Sequence, residues 1–362
     1  MLIGIDANEA NIHRRVGVNQ YAFNLLQALS RLKTKHDFVI YHRDGLLPDL
    51  PPVSLHWDYR YIPFPGLWTQ TRLPWDLFTH RPRPDVFFSP SHYAPRYSPV
   101  PTVIAVMDLG FLTARDQFNA KDFNQLKSWT AYSAKKASKI IVISEFTKNA
   151  VVKTYHRQAE DVIVTYPGYD NQVFFPRDNP AVLEKYHIHR PYILYIGSLK
   201  PSKNLEGLIT AFSRLEIPGL TLVIAGKRAW LYERIFGLVA DLKLQDRVIF
   251  TGFVKDREVP VLMSRAIAFA MPSFHEGFGI PVLEAMACHV PVVVSDVASL
   301  PEVAGDAGIY VRPDDIDSIA GGLHRAMGPD RDFYIRKGGE QAAKFDWSKT
   351  ASRTISVLES AI

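Results

Sequence analysis

The sequence predicts an α/β protein made of two doubly wound, parallel-sheet domains, and three observations carry that prediction. Short apolar, β-branched runs alternate with helical patterns along the chain, as in sheets assembled from βαβ units. The runs fall into two sets, separated by a stretch without periodicity, TYPGYDNQVFFPRDNP. The length of 362 residues suits two domains of ordinary size.

Taken in order, the first set of strands reads LIGIDA, FVIYH, DVFFSP, TVIAVMD and KIIVISE, with helical patterns such as NQYAFNLLQALSRL and QLKSWTAYSAKKA between them. The second set reads YILYIGS, LTLVIAG, RVIFTGF, AIAFAMP, PVVVSD and GIYV. The first domain is therefore assigned to residues 1–176 and the second to 177–345, with the linker near Pro176 to Arg190. A last helical pattern, FDWSKTASRTISVLESAI, accounts for residues 346–362. Two such domains are expected to face each other across a cleft, with ligands outside the carboxyl ends of the strands.

Composition excludes several classes. With 47% hydrophobic and 22% charged residues the chain has a soluble, globular make-up. Its longest apolar runs, such as VIAVMDLGFL, fall short of the roughly 18 residues of a membrane span. The start, MLIGIDANEA, carries Asp6 and Glu9 and no basic segment, so it reads as a first strand and not as a signal peptide. Cys288 is the only cysteine, which rules out an intrachain disulfide and suits a reducing cytoplasm. The net charge of +5 lies wholly in the first half, with Arg14, Arg15, Lys121, Lys127, Lys135, Lys136 and Lys139 among its bearers. A solvated basic helix face is one reading of that excess. A landing surface for anionic lipid, peripheral on the inner face of the membrane, or for a lipid-diphosphate acceptor is the other. No recognised nucleic-acid motif accompanies the charge.

The run PSFHEGFGIPVLEAMACHVPVVVSD, beginning at Pro272, carries the chemistry. It reads as strand end, glycine turn, helix and strand, with Glu276 before the turn and Glu284 just over one turn into the helix. The amides of Gly277, Phe278, Gly279 and Ile280 lie at a helix N-terminus, a natural seat for phosphate, and Pro281 fits the first helical turn. Helical side chains lean toward the N-terminus, so Glu284 points back toward that seat. A carboxylate repels phosphate but accepts hydrogen bonds from paired hydroxyls. A diphosphate between two polyhydroxyl rings, which is a sugar nucleotide, satisfies both demands. Each feature alone also has a plain reading, a tight turn or a solvated surface glutamate.

The run is similar to the E-x7-E motif of the retaining glycosyltransferases of family four, which have the GT-B fold. The likeness covers nearly the whole chain and is most specific from about Tyr192 to Gly308. It implies two facing Rossmann-like domains, a closing helix that crosses back to the first of them, and a nucleoside-diphosphate sugar as donor. In YIGSLKPSKNLEGLITAF it implies that Lys203 binds the diphosphate, although Ser198 and Ser202 stand where the family often has arginine, with Lys200 nearby. In the first domain Gly17 resembles the glycine that approaches the donor phosphates. Met107 replaces the family's usual histidine, while Asp108 beside it is retained as a cleft-facing polar group; His92, in SPSHYAP, is a further candidate. Lys227 and the backbone around Phe253 and Val254 resemble nucleotide- and base-binding positions. Glu302, in SLPEVAGDAG, reads as packing at a helix end, and Trp68 and Arg72, in LWTQTRLP, as acceptor contacts or folding elements.

The expected roles follow. Glu284 grips the ribose, Glu276 the transferred sugar, and Lys203 with the amides of residues 277–280 stabilises the departing diphosphate. No His/Cys cluster has metal-ligand spacing, and the acidic turn at Asp314 precedes a helix, so transfer without metal or other cofactor is expected. GDP-mannose is the first donor to consider, by similarity to bacterial mannosyltransferases, followed by UDP-sugars; the acceptor is a glycan or lipid-linked hydroxyl. The competing readings are a sugar-nucleotide-binding partner subunit and a phosphorylase of the same fold. A nicotinamide dehydrogenase is disfavoured because no G-x-G-x-x-G follows either first strand.

Overall fold

The computed structural model describes the chain except for residues 113–119, 190 and 227–231 and the side chain of residue 232. Contacts divide it into two compact units, residues 1–168 with 346–362, and residues 169–345. The passage at Gly168 lies upstream of the Pro176 boundary taken from the sequence, and within the stretch between them the Phe175 carbonyl accepts from Ser264 Oγ of the second unit at 3.4 Å.

The first unit holds seven strands: β1 (Leu2–Asp6), β2 (Asp37–His42), β3 (Trp57–Tyr61), β4 (Val86–Ser89), β5 (Thr102–Val106), β6 (Lys139–Val142) and β7 (Val162–Val164). Their order across the sheet is β3-β2-β1-β4-β5-β6-β7, and every pairing is parallel. The second unit holds β8 (Tyr192–Ile196), β9 (Thr221–Ala225), β10 (Val248–Gly252), β11 (Ala268–Met271), β12 (Val292–Ser295) and β13 (Gly308–Val311). These are also all parallel, in the order β10-β9-β8-β11-β12-β13. The two doubly wound sheets predicted from the alternating pattern are therefore present.

Parallel sheets covered on both faces need strands apolar on both sides. Ile3, Ile5, Phe87, Phe88, Val103 to Ala105, Ile140 and Ile141 accordingly expose nothing, and Ile193 to Tyr195, Val293 and Val294 repeat this in the second unit. β3 and β7 were not legible as strands. β3 reads WDYRY, a charged run on the sheet edge, and β7 has only three residues, so neither offers an apolar run to detect.

In each sheet the order reverses once, between β1 and β4 and between β8 and β11. The connections leaving two neighbouring strands there run in opposite directions, which opens a crevice at the carboxyl ends. The loops after β8 and β11 flank this crevice in the second unit, and those after β1 and β4 flank it in the first.

The last helix, Trp347–Glu359, belongs to the first unit, where it packs against the helix Val18–Arg31. The Trp347 ring lies 5.8 Å from that of Tyr21, and Gly168 passes so close to the Trp347 backbone that a Cβ would meet its amide at 2.3 Å. Arg353 Nε donates to the Val164 carbonyl at 2.8 Å and Thr350 Oγ1 to that of Tyr166 at 2.6 Å, so the helix covers the end of β7. Trp347 is 9% exposed, and Trp347→Ala is expected to lower unfolding free energy by about 3–5 kcal/mol. Urea unfolding measures this; a loss below about 1 kcal/mol, the size of a typical surface or mild substitution, would show that the helix is not held by that ring.

Candidate functional site

The loop after β8 is built around a buried hydroxyl. Tyr195 is fully buried, and its OH donates to the Ser198 carbonyl at 3.1 Å. A Cβ on Gly197 would stand 2.5 Å from that oxygen, so this turn requires glycine. The chain then makes the short helical turn Pro201–Lys203 and passes through Asn204, which is left-handed at φ 55. The buried Asn204 amide donates to the carbonyls of Pro272 at 3.0 Å and Pro313 at 2.6 Å, joining the loops after β8, β11 and β13. On the other side of Lys203, the Ser202 carbonyl accepts from the Phe274 amide at 3.0 Å.

Lys203 is thus bracketed onto the strand-end loop that carries Glu276, and the two side chains meet: Nζ lies 2.7 Å from Oε1. Ser273 Oγ donates to the same oxygen at 3.1 Å. Both charged groups are largely enclosed, with 20% of the lysine and 12% of the glutamate side chain exposed. Burial pushes the Tyr195 hydroxyl pKa well above its ordinary value, and the Glu276 charge adds to this, so the phenol stays protonated.

The glycine turn follows. Gly277, Phe278 and Gly279 are buried, and the helix Ile280–Ala287 opens at Gly279 in the left-handed region, φ 100, with Pro281 in its first turn. Any Cβ at Gly279 would also meet Leu300 Cδ2 at 2.7 Å. Ser299 Oγ lies 2.9 Å from the Glu276 carbonyl and 3.1 Å from that of Phe278. A trans peptide carries its N–H opposite its C=O. The Ser299 contacts therefore turn the N–H groups of Gly277 and Gly279 to the side away from Ser299. The Phe278 ring stands edge-on to Phe345 at 5.6 Å and anchors the turn.

Glu284 occupies a different electrostatic neighbourhood. Protein crowds its carboxyl although part of the residue reaches the surface, and this desolvation, with Asp256 as a second cause, pushes its pKa up to about 8. The carboxylate expected from the sequence is therefore mostly a neutral acid at neutral pH. A carboxylic acid donates one hydrogen bond and still accepts others, so pairing with a vicinal diol stays open to it. Asp256 follows the loop of Phe253, half exposed, and Val254, buried, at the carboxyl end of β10.

The remaining candidates separate. Lys227 lies outside the described residues. Ser198, Ser202 and the exposed Lys200 flank Lys203 in the same loop. In the first unit, Gly17 precedes the helix Val18–Arg31 at φ 54, with nothing within 4 Å of where a Cβ would be. Asp108 follows β5 and accepts from the Gly110 amide at 2.7 Å, while Met107 is buried. His92 follows β4; burial lowers its pKa against the pull of Asp108, and its Nδ1 has no partner among the described residues. Trp68 is buried and donates Nε1 to the Ile62 carbonyl at 2.7 Å, a folding role. Asp315 caps a helix through Ser318.

Four residues escaped the sequence reading. Asn204 and Ser299 act through carbonyl contacts that join distant segments, and Ser273 through a local bond to the Glu276 carboxylate. Asp6, at the end of β1, is pushed up to about 7 by burial, with Asn8 opposing. Ser299 stands just ahead of the helix Leu300–Ala304 but makes no side-chain cap there; its hydroxyl instead holds the glycine turn.

Residues 16–173 match the family model described as Glycosyltransferase Family 4, and residues 182–332 match that described as Glycosyl transferases group 1. The chain is 28% identical to the O-antigen chain mannosyltransferase B of Escherichia coli, over 98% of this chain and 99% of that one. Its fold matches sucrose-phosphate synthase of Thermosynechococcus elongatus with a TM-score of 0.76 at 20% identity, over 99% and 98% of the two chains. It also matches the Anabaena protein HepE, solved with UDP-glucose, with a TM-score of 0.76 at 17% identity, over 99% and 100%.

The Glu284 shift has a measurable consequence. The folded chain keeps this proton up to about pH 8, whereas an ordinary glutamate releases it near 4.5, so the group's contribution to stability falls as pH rises between those values. Glu284→Gln mimics the neutral acid and removes that fall. The melting temperature of the variant relative to the native chain is expected to rise between about pH 5 and about pH 8; a difference that stays constant would show that Glu284 titrates normally.

Proposed function

We propose that this chain, which belongs to the family 4 glycosyltransferases of GT-B fold, moves mannose from GDP-mannose to a hydroxyl of a glycan or lipid-linked acceptor, with retention at the transferred carbon and without a metal ion. The observation that carries the reading is the contact of Lys203 and Glu276 at the carboxyl ends of β8 and β11, beside a glycine turn whose amides are oriented by Ser299. The full-length likeness to an O-antigen chain mannosyltransferase supports mannose as the sugar and a growing glycan as the acceptor.

In this reading the diphosphate takes Lys203 Nζ and the amides of residues 277–280, so that the charge of the leaving group meets a fixed cation and a helix N-terminus. Glu276 is then released to accept hydrogen bonds from the sugar hydroxyls, and Glu284 pairs with the ribose. The bond from the anomeric carbon to the diphosphate oxygen breaks and that to the acceptor oxygen forms. The acceptor proton passes to the departing diphosphate, so no protein nucleophile enters. Lys203 supplies the positive charge that a divalent ion supplies elsewhere. Val254 completes the contacts assigned in the second unit, and the roles of Gly17, Asp108 and Lys227 toward the donor rest on the family resemblance. A peripheral position on an anionic membrane suits a lipid-linked acceptor; among the described residues no helix is long and apolar enough to cross one.

Lys203→Ala and Glu284→Ala are each expected to remove a charge-assisted contact of about 1.5–3 kcal/mol, lowering transfer about ten- to a hundredfold. GDP release from GDP-mannose in the presence of acceptor measures it, and full activity in both variants would dismiss the site. Transfer is also expected to persist in excess EDTA. Loss of activity there, with recovery on adding manganese, would replace the lysine by a metal in the mechanism.

A further inference from the structure

The helix Arg72–Thr79 presents apolar side chains in two directions. Leu73, Pro74 and Leu77 are buried, with Leu73 and Leu77 in the cluster that contains Trp68 and Phe87. The opposite face has no such cover. The amide and hydroxyl of Thr71 both donate to the Leu67 carbonyl, at 3.0 and 2.8 Å, and the Trp75 amide donates to that of Thr71 at 3.2 Å. Trp75 and Phe78 therefore share one side of the helix, and the hydrogen-bonded turn from Leu67 to Thr71 leads into it. Leu67, Trp75 and Phe78 are 56%, 67% and 48% exposed. Single exposed apolar residues are ordinary, but a leucine, a tryptophan and a phenylalanine in one short segment form a patch.

The exposed charge carried by the segment from Leu67 to Pro84 has one sign. Arg81 and Arg83 each donate to the Phe78 carbonyl at 3.0 Å, which fixes two guanidinium groups at the end of the helix. Asp76 is the one acid between Leu67 and Pro84, and it is turned inward, buried, with Arg60 Nε 2.6 Å from Oδ2. The next acid, Asp85, accepts from the Leu2 amide at 2.8 Å. Gln70, inside the same segment, holds the neighbouring loop: it accepts from the Arg96 amide at 3.1 Å and donates to the Ala94 carbonyl at 3.2 Å. That loop adds Tyr97, 69% exposed, and the cation Arg96.

We propose that this face docks the first unit onto an anionic lipid bilayer, with Leu67, Trp75 and Phe78 entering the boundary of headgroups and acyl chains and Arg81, Arg83 and Arg96 meeting lipid phosphates. Aromatic side chains favour that boundary, and clustered cations complement the charge of an anionic leaflet. A symmetric contact between two copies would instead set the same arginines against each other. The inference rests on the membrane-peripheral reading above and assigns it to a surface other than the exposed lysines of the helix Ala120–Lys136.

The test uses the full chain and vesicles of phosphatidylcholine with and without phosphatidylglycerol, read by co-sedimentation and tryptophan emission. The native chain is expected to sediment with the anionic vesicles and to shift its emission to the blue. The double variant Trp75→Ala/Phe78→Ala is expected to bind at least about tenfold more weakly, because both side chains lose their burial. Donor turnover with a water-soluble acceptor is expected to be unchanged in this variant, so loss of docking and failure of the transfer reading are separate results. The proposal is overturned if the native chain ignores anionic vesicles. It is equally overturned if the double variant binds like the native chain while Lys127→Ala/Lys135→Ala/Lys136→Ala does not, or if the double variant abolishes a native dimer rather than vesicle binding.

Discussion

The second unit depends on one side chain, that of Asn204. Its amide holds two carbonyls from distant parts of the chain, Pro272 and Pro313, and its left-handed backbone turns the preceding residue, Lys203, back onto the loop after β11. Backbone carbonyls just past the end of a strand are no longer paired by the sheet and must find a donor if buried. Asn204 provides donors for two of them at once. The cost of a left-handed asparagine is modest, because a short polar side chain tolerates that region better than most.

What this tie produces is a cation and an anion in contact at the point where the strand order reverses. An ion pair this enclosed contributes little net stability, since desolvation offsets most of its Coulomb energy. Its significance lies in readiness. Lys203 and Glu276 satisfy each other, and in the proposed transfer each exchanges its partner for a group on the donor, phosphate for the lysine and hydroxyls for the glutamate. The glycine turn beside them works by a different constraint. Ser299 occupies its carbonyls, and peptide planarity then dictates where the amides face.

Burial has set the acids of the two units on a different course from that of an ordinary surface carboxyl. Glu284 and Asp6 both hold protons well above the usual range, and in each case desolvation is the leading cause. Glu276 is met by a lysine and a serine. Two glutamates of one motif therefore differ in surroundings: one has a cation within reach, and the other is desolvated by the protein with Asp256 as a second neighbour.

The sequence alone determined the fold class, the two sheets and most of their strands, because a parallel strand covered on both faces must be apolar throughout and shows as such in one dimension. It also located the glycine turn and the helix after it, since Gly279 at φ 100 and Pro281 in a first turn are local requirements. Edge strand β3 and short β7 lacked the apolar run and stayed hidden. Tertiary structure decided the rest. That Lys203 touches Glu276, that Ser299 serves the turn and not its own helix, and that Glu284 keeps its proton all follow from segments far apart in the chain. The reason is physical: hydrogen bonds across strand-end loops and the desolvation of a carboxyl depend on neighbours in space, and no local pattern of residues records them.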